Sequence, residues 1–259
     1  MALVFNPFTG ALDFTGGAAA TILRGYLAGC GTSNNSGAPN TKIDVAAGMC
    51  ADSTNAALIR VTAGTIDCGT VGANGLDAGA LANSTWYHIF AIMKADTTQA
   101  LLASTSASAP TLPSGYTYFR RLGSVRTNGS AQILAFTQIE DKFSLAASVT
   151  DVSTASMGVA TALYGLTVPT GVKVRPIADV GTTAGDLLVF NGDEAGYAPT
   201  SGGISGAPGY FAFGSFNQAQ RLTDIYTDTS GRIRVYADAI TRPLYIYTRG
   251  WVDMRGRIA

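Results

Sequence analysis

YTYFRRLGSVRTNGSAQILAFTQ, residues 116–138, decides the fold class. Two β-rich runs, 116–122 and 131–136, flank VRTNGS at 125–130, and the Asn128-Gly129 dipeptide supplies the positive φ angles of a tight primed turn. The stretch predicts a β-hairpin. One hundred residues on, IYTDTSGRIRVYA at 225–237 sets Thr227, Asp228, Ser230, Ile233 and Tyr236 against Thr127, Asn128, Ser130, Ile133 and Phe136. A β unit written twice is one explanation. Turn chemistry common to unrelated hairpins is the other.

Composition extends the β reading to the whole chain. Only two Glu (Glu140, Glu194) and four Lys are present, the residues that usually fill exposed helix faces, while Thr, Val, Gly, Tyr and Phe are plentiful. With 259 residues the chain can form one large all-β domain or two smaller ones. Charged residues are 13% of the total, against roughly 25% in ordinary soluble domains, and the formal net charge is zero. A surface this short of charge favours association. Arg outnumbers Lys 13 to 4, as at protein interfaces, although a codon bias gives the same ratio.

Short runs of strand character recur along the chain, at 42–47 (Ile43 and Val45 alternating), 57–63 (Leu58, Ile59, Val61) and 87–93, separated by clusters such as GTVGANG at 69–75. This is the rhythm of a sandwich or jelly roll. GCGTSNNSGAPN at 29–40 reads as a turn-rich loop, and YGLTVPTGVKVRPI at 164–177 as strand, turn and strand opening a second unit. Thr97-Thr98, Leu101-Leu102 and Ala109-Pro110 find an echo in Thr182-Thr183, Leu187-Leu188 and Ala198-Pro199. The boundary is expected where DVSTAS (151–156) loses hydrophobic pattern. The expected organisation is thus an extended N-terminal segment at 1–17, a first sandwich or jelly-roll-like domain at 18–150 and a second at 151–259. Residues 190–217 are too rich in Gly and Pro for regular structure, yet carry Tyr197, Tyr210, Phe211, Phe213 and Phe216. Such aromatics rest on something: their own domain, a sister subunit, or a receptor or glycan surface.

Catalytic and metal-binding patterns are missing from the sequence. One histidine and three scattered cysteines do not make a zinc site, so no catalytic residue, metal or cofactor is expected. His88 alternates onto the side of Phe90 and Ile92 and reads as a satisfied, partly buried histidine. GISGA at 203–207 departs from the nucleophile-elbow pattern at Ala207. The carboxylate pairs Glu140-Asp141 and Asp193-Glu194 are adjacent, which on a strand points them to opposite faces and away from joint work on a glycosidic bond. The Gly-rich runs lack both GxGxxG order and a following helix, and zero net charge argues against nucleic acid. Arg120, Arg121, Arg249, Arg255 and Arg257 are better suited to interfaces. Cys30, Cys50 and Cys68, with no CxxC spacing, are expected to be reduced, mostly buried thiols. Neither a signal peptide nor a run of about 18 apolar residues is seen, so folding in a cytoplasm without membrane insertion is expected.

Three stretches resemble a known group. LPSGYTYFRRLGSVRTNGSAQILAF (112–136), GWVDMRGR (250–257) and the leader VFNPFTGALDF (4–14) are similar to segments of structural proteins of tailed-bacteriophage particles, and together cover roughly a fifth of the chain. The resemblance implies a virion component assembled in the host cytoplasm: a tail-associated adaptor or short fibre, or alternatively a capsid decoration or head fibre. It implies a homo-oligomer, commonly a trimer, bound to other virion proteins. Val4, Phe5, Pro7, Phe8, Leu12 and Phe14 become the expected attachment residues, the other reading being an N-terminal strand packed on its own domain. A glycan-binding or glycan-cleaving host-recognition module is the rival of another class.

Overall fold

The computed structural model describes residues 22–195 and 218–257, together with the backbone of three short strands at 2–5, 12–15 and 211–213. No helix occurs among the described residues. In chain order the strands are β1 (Ala2–Phe5), β2 (Leu12–Thr15), β3 (Leu27–Gly29), β4 (Thr32–Asn34), β5 (Lys42–Val45), β6 (Gly48–Ala51) and β7 (Leu58–Val61). Next come β8 (Gly64–Asp67), β9 (Gly75–Leu76), β10 (Trp86–Lys94), β11 (Gln99–Ser104), β12 (Tyr116–Arg126), β13 (Phe136–Ile139) and β14 (Lys142–Thr154). The last seven are β15 (Thr161–Gly165), β16 (Arg175–Thr182), β17 (Leu187–Phe190), β18 (Phe211–Phe213), β19 (Gln218–Arg221), β20 (Arg232–Ala237) and β21 (Leu244–Val252). The fold is all-β.

The first half is built on the sheet β12-β10-β11-β9, which is buried on both faces. Two three-stranded sheets, β3-β6-β7 and β4-β5-β8, lie against one face and enclose Ile43, Ile59, Ile66, Ile89, Leu101 and Leu122. On the other face Phe90, Ile92 and Leu102 are covered by Leu112, Tyr116 and Phe119. Double burial explains why WYHIFAIMK is an almost unbroken apolar run, since both sets of alternating side chains leave water. In the second half the five-stranded sheet β13-β14-β21-β16-β19 faces the four-stranded sheet β15-β20-β17-β18. Val180, Leu244, Ile246 and Trp251 from the first meet Leu187, Val189, Ile233 and Val235 from the second, as in a sandwich.

Several sequence expectations need correction. The predicted hairpin is a corner instead: β12 runs to Arg126, a single bridge joins Thr127 to Ile133, and the next strand starts at Phe136 and pairs with β14. The positive φ falls on Ala131 (57°) and not on the Asn-Gly pair, because the Asn128 side chain organises the turn by accepting the N–H groups of Ser130 and Gln132. The expected boundary at 150/151 lies inside β14, so residues 136–150 pair with the second half. DVSTAS looked like a break because it is polar, but Asp151 is held by Thr167 and Thr248 within the sandwich. The run at 164–177 does not fold back on itself, as β15 pairs with β20 and β16 with β19 and β21. The N-terminal segment expected to be extended forms a hairpin, with Val4 opposite Asp13 and Phe5 opposite Leu12. Within the long aromatic loop, Phe211–Phe213 is a strand on β17.

Candidate functional site: the seam between the halves

The stretches at 112–136 and 250–257, more than a hundred residues apart, meet in space. Arg120, Arg121, Gly123 and Ser124 lie on β12, which ends the first half's main sheet, and Trp251, Asp253 and Arg255 belong to the end of β21 and the segment that follows. The Arg121 guanidinium makes two short bonds to Asp253, Nη1 to Oδ2 at 2.6 Å and Nη2 to Oδ1 at 2.7 Å, with both side chains nearly removed from water. A forked pair of this kind is directional as well as strong. Burial disfavours the Asp253 carboxylate, but Arg121 and the N–H of Arg255 outweigh it and hold the carboxyl below its ordinary range. Arg120 donates to the carbonyls of Gly25 and Arg255, which ties the start of the first half to the end of the second. Arg255 and Arg257 both pair with Asp141, in the turn between β13 and β14.

Apolar contact backs the ionic one. Trp251 stacks on Phe143 with ring centres 5.3 Å apart, and the edge of Trp86 meets Trp251 at 5.1 Å. Burying a side chain such as Phe143 contributes about 1.5–3 kcal/mol, and an aromatic pair adds about 0.5–1.5 kcal/mol. The ring of Phe143 reaches β12 only because residue 123 is Gly: a Cβ there would sit 2.8 Å from its Cζ. β13 stitches the joint further, since Gln138 accepts the N–H and hydroxyl of Thr32 and Asn34 binds the backbone at Leu134 and Phe136.

His88 sits inside this seam. Its Nδ1 is 2.9 Å from Ser124 Oγ, and the Thr170 carbonyl lies within reach of the ring as an acceptor. Ser124 also accepts from Arg121, whose charge joins burial in pushing the imidazole down to about 4. The ring is therefore neutral at pH 7, and its Nδ1 shares a hydrogen bond with the Ser124 hydroxyl. A serine next to a histidine with a carboxylate nearby superficially resembles a nucleophile and its base. Here the base is too weak at neutral pH, and His88, Ser124 and Asp253 are each at most 2% exposed. What the network can do is fix the two halves in one orientation.

The other expected site residues fall elsewhere. Val4, Phe5, Leu12 and Phe14 belong to the β1-β2 hairpin, while Pro7 and Phe8 lie outside the described residues. Phe211 and Phe213 are opposite Val189 and Leu187 on β17, while Tyr197, Tyr210 and Phe216 lie outside the described residues. Arg120, Arg121, Arg255 and Arg257 do serve an interface, but one within the chain, and Arg249 pairs with Asp179. Asp193 pairs with Lys173 and Glu194 with Asn191. Cys30, Cys50 and Cys68 are all buried and unbridged. The described residues contain no group of three or more His, Cys, Asp or Glu able to hold a metal ion, and no helix long and apolar enough to cross a membrane. The seam itself had one signal in sequence, the pairing of Arg120-Arg121 with a late Asp-x-Arg, but nothing in the order of residues connects them. Comparison with protein-family models, with curated proteins and with solved structures finds no match to this chain.

Proposed function

We propose that this chain is a non-enzymatic structural component of a tailed-phage particle, a tail-associated adaptor or short fibre anchored by its N-terminal segment. One observation carries the reading: the two internal stretches that resemble virion proteins are the ones that make the buried joint between the halves, so what they share with that group is a means of construction. Support also comes from how charge is used. The few ionic groups on β12 and at the C-terminal end are consumed in holding the chain together, which leaves a surface poor in charge to be covered by neighbours. The β1-β2 hairpin pairs only with itself among the described strands, as an attachment element would.

Deleting residues 1–17 tests the proposal. The shortened chain is expected to keep its fold, read as an unchanged thermal transition, and to be absent from purified particles. Full incorporation of the shortened chain overturns anchoring by this segment. Copy number of the full chain, measured by quantitative mass spectrometry of particles, separates tail from shell: tens of copies or fewer support the tail placement, and hundreds replace it with a capsid decoration.

A further inference from the structure

Asn-Gly occurs three times in the chain, at 74–75, 128–129 and 191–192, and the fold treats the three pairs differently. An asparagine followed by glycine can close on itself, because the glycine nitrogen can attack the side-chain amide carbon and no Cβ crowds the approach. Two of the pairs are locked against this. Gly75 and Gly192 are buried, and their nitrogens are engaged: Gly75 donates to the Gly72 carbonyl at 2.9 Å and Gly192 to the Tyr226 carbonyl at 3.0 Å. Neither has room to shift, since even a Cβ would run into the Thr70 carbonyl at Gly75 and the Arg232 carbonyl at Gly192. Asn74 is pinned further by a φ of 62° and by donation from its N–H to the Leu101 carbonyl.

Asn128-Gly129 differs on each count. Gly129 is exposed, a Cβ there would meet nothing within 4 Å, and its N–H makes no hydrogen bond among the described residues. The nitrogen that has to attack is therefore open to water and to the base that must take its proton. The amide it would attack is held ready. Asn128 Oδ1 accepts the N–H groups of Ser130 at 2.8 Å and Gln132 at 3.0 Å, whereas the corresponding oxygens of Asn74 and Asn191 accept one backbone N–H each, from Leu101 and Tyr226. Attack on an amide carbon builds negative charge on its oxygen, and two N–H groups already aimed at that oxygen stabilise the charge as it forms. The leaving nitrogen is lightly held, since Asn128 Nδ2 reaches Gln132 Oε1 only at 3.2 Å and at the exposed surface, while Asn191 Nδ2 is 2.7 Å from Glu194.

We propose that Asn128 is a spontaneous modification site, converted by water through a cyclic imide to aspartate and isoaspartate while Asn74 and Asn191 in the same dipeptide persist. Hydroxide removes the Gly129 amide proton, and the nitrogen forms a bond to Asn128 Cγ. The bond from Cγ to Nδ2 then breaks, and Nδ2 leaves as ammonia with a proton returned from water. Water next opens the imide. Addition at Cγ restores the main chain and leaves aspartate, whereas addition at the main-chain carbonyl carbon leaves the chain running through Cγ as isoaspartate. No oxidant or enzyme is required. The aspartate product gives this corner the acidic side chain that Asp228 supplies in the other. The isoaspartate product puts a methylene into the main chain and removes the acceptor of Ser130 and Gln132, which loosens the corner that leads into β13 and the joint between the halves.

The test is incubation of the folded full chain in mildly alkaline buffer made with heavy-oxygen water, followed by peptide mass spectrometry at the three sites. Asn128 is expected to take up solvent oxygen at least about tenfold faster than Asn74 or Asn191, because each of those must first break its glycine's hydrogen bond. The same incubation in urea is expected to bring the three rates together, since only the fold distinguishes them. Gly129→Ala is expected to fold, as its Cβ finds open space and φ at Gly129 is outside the left-handed region, and to slow the reaction at Asn128 several-fold. Equal rates at the three sites of the folded chain overturn the proposal, as does an Asn128 that stays intact while either of the others reacts. A preference for Asn128 that survives unchanged in urea overturns it too, by assigning the selectivity to neighbouring sequence. So does a Gly129→Ala chain that reacts at Asn128 as fast as wild type.

Discussion

The corners at 127–133 and 227–233 are the same object built twice and then used differently. In each, a fully buried threonine hydroxyl faces the strand behind it: Thr127 accepts the N–H of Thr85 and donates to Ala82, while Thr227 accepts the N–H of Val174 and donates to its carbonyl. In each, one side-chain oxygen accepts two backbone N–H groups, Asn128 from Ser130 and Gln132, Asp228 from Ser230 and Arg232. The fifth residue has positive φ in both, Ala131 at 57° and Gly231 at 73°. Beyond the corners the likeness ends. β13 crosses to the other half and pairs with β14, whereas β20 stays at home between β15 and β17. The sheet orders also differ, so the repetition extends to the corner and not to two copies of one sandwich. Local chemistry sets the corner, and the partner waiting beyond it sets where the strand goes.

The strongest way to break this arrangement is to remove what the first corner's crossing depends on. Asp253→Ala leaves Arg121 buried and uncompensated beside His88, and removal of one member of such a pair costs about 3–5 kcal/mol. Asp179→Ala is the matched control, because Arg221 and Arg249 are about half exposed and can turn to water. Its expected cost is below about 1 kcal/mol. Urea unfolding reads both, and equal costs would show that the seam does not join the halves.

Charge separates the two corners next. Asn128 faces Gln132 through a neutral amide bond at 3.2 Å, whereas the Asp228 carboxylate receives the Arg232 Nε at 2.8 Å. Burial opposes ionisation of Asp228, but the N–H and guanidinium of Arg232 overcome it and hold the carboxyl below its ordinary 3.8. Because the folded value lies below the unfolded one, the ionised side chain stabilises the fold at pH above the ordinary carboxylate range. That contribution is lost as pH falls through the folded value. Asp228→Asn turns the second corner into a chemical copy of the first and is expected to cost about 1.5 kcal/mol near neutrality. The gap between variant and wild type should close in acid, when wild-type Asp228 takes up its proton. A gap independent of pH would mean that shape and not charge supports this corner.

How much of this was readable beforehand depends on the range of the interaction. Strands β5, β7 and β10 were legible because Ile43 and Val45, Ile59 and Val61, and the double-faced run around Ile89 carry their burial in their own alternation. The corners were legible as a hundred-residue echo, but their geometry was not. Asn-Gly signals a primed turn only when the glycine is needed, and here a side-chain acceptor made the turn instead. The seam was the least legible part. Arg121 and Asp253 are 132 residues apart, and Gly123 reveals its purpose only when Phe143 from another sheet fills the space beside it. Likewise nothing in GCGTS announces that Cys30 turns inward at the end of β3.

The smallest expected effect is also the sharpest comparison, because it concerns the corner position that has positive φ in both corners but a Cβ in only one. Ala131 holds φ at 57° with a Cβ that this conformation disfavours, and Gly231 holds 73° without one. Ala131→Gly removes the clash but also frees the unfolded chain, so the two terms oppose each other and the expected net change is a stabilisation of at most about 0.5 kcal/mol. Gly231→Ala adds the clash and also brings the new methyl within 3.3 Å of Val168 Cγ2 and 3.4 Å of the Val168 carbonyl oxygen, contacts that Val168 cannot easily relieve because it is fully buried. Its expected cost is about 1–2 kcal/mol. Thermal unfolding of the two variants side by side reads the difference. If exchanging the residues leaves both melting points unchanged, backbone preference at the fifth position plays no part. The corners would then owe their common shape to the Thr-Asx hydrogen bonds alone.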